Sequence, residues 1–233
     1  MKRALVAVLF GCLTLGFASL AIAADNDQAG IALHVGPVVS KLPCDNAPAL
    51  TAATIQSAAA GANTDSYTVY VLVCNGSDST GVSGAEFGID YNGNPSAGVD
   101  ADGWTACGDL EFPNSNWPDA NTGNIVTFNP GSNCQNTPSE PFVPQTVIAV
   151  LGALDVTAYT PDILSVIPRP VTGFAKVSDC NGAEDDLLDL GGSEPSHLGQ
   201  AEFGLGSGYN PCGLPTPVEN TTWGAIKNSG SLN

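Results

Sequence analysis

The chain predicts an all-β protein: an antiparallel β-sandwich with long loops and disulfides. Three observations carry that expectation. Apolar residues come in short runs, separated by Gly, Asn, Asp and Pro, which is the punctuation of a sandwich or barrel. Gly (27) and Pro (17) are abundant, charged residues make up 12%, and no long stretch has helical periodicity. Six cysteines, Cys44, Cys74, Cys107, Cys134, Cys180 and Cys212, lie beyond the first 23 residues. An even number in an exported chain reads as a disulfide framework.

Export is read from the start of the chain. MKRALVAVLFGCLTLGFASLAIAA has a basic opening (Lys2, Arg3), an apolar run and the small-residue pattern Ala21-Ile22-Ala23. Residues 1–23 therefore read as a signal peptide. Gly and Thr interrupt the run and no basic stop follows, which disfavours a membrane anchor. The apolar stretch before Cys12 is too short, and continues too far past it, for a lipid-modified cysteine. The remainder predicts a secreted or periplasmic protein with no spanning helix.

The elements follow in order. GIALHVGPV opens as a strand that Pro37 ends. NAPALTAATIQSAAAGANTD is alanine-rich and allows a short helix. SYTVYVLVCNG, rich in Val, Tyr and Thr and closed by Asn75-Gly76, is the clearest strand. In GAEFGIDYNG, Phe87, Ile89 and Tyr91 alternate with Glu86, Gly88 and Asp90, the period of a half-buried strand. A long polar segment, VDADGWTACGDLEFPNSNWPDANTG, separates it from the strands NIVTFNP, TVIAVLGALDVTAYT, ILSVIPRP and GFAKVSDC. An acidic turn, NGAEDDLLDLGGSEP, leads into QAEFGLG, which repeats the Ala-Glu-Phe-Gly tetrad. The residues around the two tetrads do not align further, so they read as two strands lining one core. Phe87 and Phe203 face inward, with Ile89 and Leu205 beside them. Residues 24–213 then form a single sandwich domain, and 214–233 a tail with one helical turn after Asn220, docked by Trp223.

Six cysteines allow fifteen pairings. The simplest is nearest-neighbour: Cys44–Cys74, Cys107–Cys134 and Cys180–Cys212. Each would close a loop of roughly 30 residues, worth on the order of 3 kcal/mol in the chain-entropy model. A zinc site needs close CxxC-type pairs, and the chain has none.

Composition excludes some partners. With Lys2 and Arg3 removed, Lys41, Arg169, Lys176 and Lys227 stand against 23 acids, a formal charge of −19. Such a surface repels phosphate backbones, so nucleic acid is not a partner.

Enzyme signatures are missing: there is no GxSxG elbow, HExxH helix or P-loop. The two histidines, His34 and His197, have no spacing to a serine and an acid that suggests a triad. Glu86, Glu111 and Glu202 are the acids a secreted glycan hydrolase would draw on. Calcium suits the acidic loops better. Asp100 and Asp102 precede a Gly turn, and Asp179, Glu184, Asp185 and Asp186 cluster near Cys180. Calcium takes six to eight oxygen ligands, often from such loops. Trp104 and Trp117, in the polar proline-rich segment, are the candidate sugar-stacking residues.

The order of elements resembles cohesin-type and related carbohydrate-module sandwiches. The residues that carry this are VYVLVCNG, EFGIDYNG, GNIVTF, VIAVLGALDV and KVSDCNGAED, spanning Ser66 to Asp186. The resemblance implies an immunoglobulin/cohesin-like sandwich and a binding role. GVSGAEFGI, GWTACGDLEFP and PVENTTWGAIK also resemble segments of exported, cysteine-containing bacterial proteins, a likeness that implies no activity. The expected function is a non-enzymatic, exported module that binds polysaccharide or an extracellular protein, or serves envelope structure, with calcium as stabiliser. The alternatives are a secreted glycan hydrolase using paired carboxylates, and a subunit of a surface assembly joined through a free strand edge.

Overall fold

A computed structural model describes residues 26–188 and 196–213. The expected signal peptide, and the tail for which a helical turn docked by Trp223 is expected, lie outside the described residues.

Among the described residues, twelve strands form two sheets. The first sheet has the order β1 (Gly30–Gly36), β3 (Asp65–Gly76), β8 (Val147–Ala158) and β5 (Val99–Ala106). The second is built around β4 (Gly84–Asp90). Along one edge of β4 runs β7 (Thr122–Thr127), which carries β6 (Leu110–Glu111). The other edge is shared by β10 (Lys176–Ser178), paired on to β11 (Glu184–Asp186), and β9 (Asp162–Ile167). From β9 the sheet continues through β12 (Gln200–Phe203) to β2 (Ala58–Ala59). All strand pairings are antiparallel except β12 with β2. The chain is a β-sandwich, as its punctuation predicts.

The main core lies between the sheets. Val69, Val71 and Val73 of β3 meet Phe87 and Ile89 of β4, with Leu154, Leu164, Val177 and Phe203 around them. Burying each such side chain contributes about 1.5–3 kcal/mol. The alternate residues of β3 face the other way and are buried too: Leu72 and Cys74 pack with Ala32, Leu50, Ile55 and Cys212. This explains both the unbroken apolar run of β3 and the alanine-rich stretch after β1. The only helical turn in that stretch is 3₁₀, Ala52–Thr54; the stretch covers the outer face of the first sheet with Leu50 and Ile55 before β2 joins the second.

The two tetrads do face one core: Phe87 and Phe203 are fully buried. Leu205 departs from expectation. The strand β12 ends at Phe203, Gly204 takes a φ of +70°, and Leu205 is 56% exposed.

The disulfides are not nearest-neighbour. The bonds are Cys44–Cys107, Cys74–Cys212 and Cys134–Cys180, with Cα separations of 5.4, 5.7 and 6.0 Å. Pairing follows proximity in space, and the strand order brings distant segments together. Cys74, at the end of β3, meets the 3₁₀ turn Pro211–Gly213, 138 residues away in sequence. Such long loops raise the expected stabilisation to on the order of 4–5 kcal/mol per bond in the chain-entropy model.

The polar segment after β4 also departs from expectation. It contains a full strand, β5, at the edge of the first sheet. A bulge between Ala101 and Gly103 breaks its alternation. Ala101 lies opposite inward-facing Val156, and the extra residue lets Trp104 lie opposite inward-facing Leu154. A bulge re-aims the side chains beyond it in this way, so a strand with a polar sequence still delivers an indole to the core.

Candidate interaction surface

Strand register assembles a candidate interaction surface on the second sheet. Residues directly opposite in neighbouring strands share a face. Gly84 of β4 lies opposite Thr127 and Ser178, and Glu86 opposite Ile125 and Lys176. Leu110 lies opposite Thr127, and Glu184 opposite Ser178. Their alternates Ala85, Val126 and Val177 are in the core, so this whole set faces outward. It forms an open groove of about 680 Å³. Gly84 makes the floor deep: a Cβ there would press on the Val126 carbonyl oxygen at 2.6 Å and on the Thr127 backbone at 3.1 Å.

One flank of the groove is an ordered polar and apolar network. Glu86 and Arg169 form an ion pair at 3.3 Å with side chains only 12% and 13% exposed. Thr172 Oγ1 donates to the same Glu86 oxygen at 2.6 Å. Arg169 also donates to Asn114 Oδ1 and to the Phe112 carbonyl, both at 3.1 Å. Lys176 Nζ donates to Glu184 Oε2 at 3.0 Å and sits 4.5 Å from the Phe174 ring centroid. Its hydrogen bond to Glu184 holds the Lys176 ammonium above its ordinary pKa. Beside these groups Leu110, Phe112 and Phe174 are 63%, 53% and 43% exposed. Across the groove Asp109 Oδ2 accepts from the Asn129 amide at 2.6 Å and from Asn133 Nδ2 at 3.0 Å. The Asn129 hydrogen bond, then that from Asn133, hold the Asp109 carboxyl below its ordinary pKa.

The residues singled out in the sequence lie elsewhere, apart from Glu86 and Glu184 on the groove. Trp104 and Trp117 stack edge to face at 5.2 Å, and both rings contact Phe87, at 6.3 and 5.6 Å. They are half-buried and pack against the main core. The Trp104 indole N–H donates to Glu111 Oε2 at 2.8 Å, an oxygen it shares with Asn124 Nδ2.

Asp100 and Asp102 lie on the edge strand β5. Asp100 Oδ2 accepts from the Ser96 amide, and Asp102 Oδ2 from Thr157 Oγ1. The expected acidic turn near Cys180 is a hairpin, β10–β11. Alternation therefore splits its acids: Asp185 is buried and its Oδ2 accepts from the Asn26 amide, while Glu184 and Asp186 face outward. Asp179 is buried and its Oδ1 accepts from the amides of Asn181 and Ala183, closing the hairpin. Among the described residues, no group of three or more His, Cys, Asp or Glu side chains is arranged to hold a metal ion.

Both histidines serve the backbone. His34 Nδ1 accepts from the Gln56 amide at 3.0 Å, and burial pushes the His34 pKa down. His197 Nδ1 lies 2.7 Å from the Ala29 carbonyl oxygen. The glutamates do not converge. Leu110 faces outward, so Glu111 faces the other side of the sheet from Glu86. Glu202 lies opposite Ile163, whereas Gly88 lies opposite Ile167. That offset places Glu202 on the order of 20 Å from Glu86 along the strands at 3.3 Å per residue. A glycosidase pair needs a separation of about 5–9.5 Å.

Sequence reasoning missed the groove because its parts come from five strands. Its visible signals were Glu86 in the first tetrad and Glu184 in the acidic turn.

No protein-family model and no curated protein matches the chain. Two solved structures are similar to it. One is a cohesin module from a Clostridium perfringens family 33 glycoside hydrolase, with 12% identity, TM-score 0.41, and coverage of 75% of this chain and 96% of that one. The other is a chain of the CaDoc0917–CaCohA2 complex, with 18% identity, TM-score 0.35, and coverage of 66% and 91%.

Proposed function

We propose that the chain is a non-catalytic module that docks an extracellular protein through the outer face of its second sheet. The observation that carries this reading is the surround of the Arg169–Glu86 pair. Leu110, Phe112 and Phe174 stand exposed next to a largely buried arginine. Aromatic, aliphatic and arginine side chains around a water-excluded centre are the composition of protein–protein hot spots. Three disulfides fit a protein of an oxidising compartment. The reading favours protein over polysaccharide because Trp104 and Trp117 use their faces and edges on each other and on Phe87, which leaves no flat platform for a sugar ring. It requires no calcium, because the acids named for that role are engaged with backbone amides, a hydroxyl or Lys176.

The test is affinity capture from the secreted protein fraction, on wild type and on a Leu110→Ser/Phe112→Ser/Phe174→Ser variant. The captured partner is then purified and titrated against both. The reading expects at least a tenfold loss for the variant, as for several hot-spot truncations. Equal affinity for both proteins, or a glycan-array signal that the variant retains, overturns it.

A further inference from the structure

The charges on the groove define the chemistry of what enters it. We infer that it receives a partner segment in which Lys or Arg stands beside apolar side chains; this rests on the docking face proposed above. Among the described residues, the groove lining carries Glu86, Asp109 and Glu184 against one cation, Lys176. Glu86 is already matched by Arg169, and Lys176 by one oxygen of Glu184. Asp109 has only neutral donors on its Oδ2. Unmatched charge therefore stays at Asp109 on one rim, while Glu184 on the other, with a side chain 56% exposed, shares its charge with Lys176 through one oxygen. Between them Thr127 and Ser178 flank Gly84, and the apolar side chains of the lining, Leu110 and Ile125, stand beside Thr127 and Glu86.

An incoming cation finds carboxylates at both rims, and its apolar neighbours find Leu110 and Ile125. A second copy is disfavoured, because two chains each of formal charge −17 repel. Acidic glycans and nucleic acids are disfavoured for the same reason. A neutral glycan is disfavoured, since the groove lining contains no Trp or Tyr and Lys176 sits over the Phe174 ring at its flank. The low Asp109 pKa keeps that carboxylate charged in mildly acidic surroundings.

The test uses three synthetic octapeptides and amide-resonance mapping on the intact, oxidised protein. One peptide alternates Lys with Val, one has Glu in place of Lys, and one has Ser in place of Val. The Lys–Val peptide is expected to shift Gly84, Ile125 and Lys176, and the other two to bind at least about tenfold more weakly. Asp109→Asn/Glu184→Gln should weaken the Lys–Val peptide about tenfold. Asp102→Asn/Asp155→Asn, which removes the same charge from the other sheet, should change it less than about twofold. Equal weakening by both double variants overturns the inference, because attraction is then general to an acidic chain. Tight binding of the Glu–Val peptide at the same resonances overturns the charge assignment while the docking face stands. Tight binding of the Lys–Ser peptide overturns the apolar half of the inference. If no peptide moves those resonances, the inference and the docking face fall together.

Discussion

Trp104 packs directly over Gly152. A methyl group at residue 152 would run into the indole carbons Cζ2 and Cη2 of Trp104 and approach the Thr105 carbonyl oxygen. Gly152 lies in β8 two pairs beyond the Trp104–Leu154 pair, opposite Ala106. A glycine in an otherwise apolar strand is therefore the space that an indole from the neighbouring edge strand fills.

Gly152→Ala should destabilise the protein by about 1–3 kcal/mol, the cost of overpacking a closed site. Urea unfolding followed by tryptophan emission measures it. Adding Trp104→Phe should recover part of the loss, so that the double variant is less destabilised than the two singles combined. Additive effects would mean the two residues do not compete for one volume.

The cysteine pairing makes a second prediction. Peptide mapping of unreduced protein should recover Cys44–Cys107, Cys74–Cys212 and Cys134–Cys180 as linked fragments. Replacing Cys74 and Cys212 by Ser should lower stability most, because that bond closes the largest loop. Recovery of Cys44–Cys74 would contradict the strand order itself.

Arg169 should matter more than an exposed ion pair does. Its guanidinium binds Glu86, Asn114 and the Phe112 carbonyl, and little of it meets solvent. Arg169→Ala leaves Glu86 shielded with only Thr172 as donor, and a loss of about 2–4 kcal/mol is expected. Glu86→Gln keeps a hydrogen-bond acceptor and should cost less. Thermal unfolding of both variants separates these outcomes.

Acid should act through His34. Burial lowers its folded pKa below the ordinary value of 6.5. Its stabilising contribution is present above that value and is lost as pH falls through the folded pKa, because the unfolded chain takes up the proton first. Protonation would also remove the Nδ1 acceptor of the Gln56 amide. Wild type should therefore lose more stability than His34→Gln between pH 7 and pH 5, as read from paired melting curves. Parallel pH profiles would show that His34 is not responsible.

Local patterns were sufficient for most strands. Val-rich β3, alternating β4 and apolar β8 announce themselves because a residue's neighbours along the chain decide whether its strand is buried on one face or two. In contrast, β5 carries Asp100, Asp102 and Gly103 and reads as loop. It is a strand because β8 offers it a free edge, and Trp104 reaches the core only through the bulge. Glu184, Asp185 and Asp186 read as one acidic cluster because they are adjacent in sequence, yet strand alternation sends Asp185 to the opposite face from its neighbours.

The amino-acid order by itself determined that this is a β-sandwich, closed by cysteines and strongly acidic, since these depend on local periodicity and composition. The folded arrangement alone decided which cysteines meet, which acids stay at the rim of a groove, and that Glu86 and Arg169 form a shielded pair. Those are relationships between strands far apart in the chain. Their register is set by how all the apolar faces pack at once, and no single segment contains it.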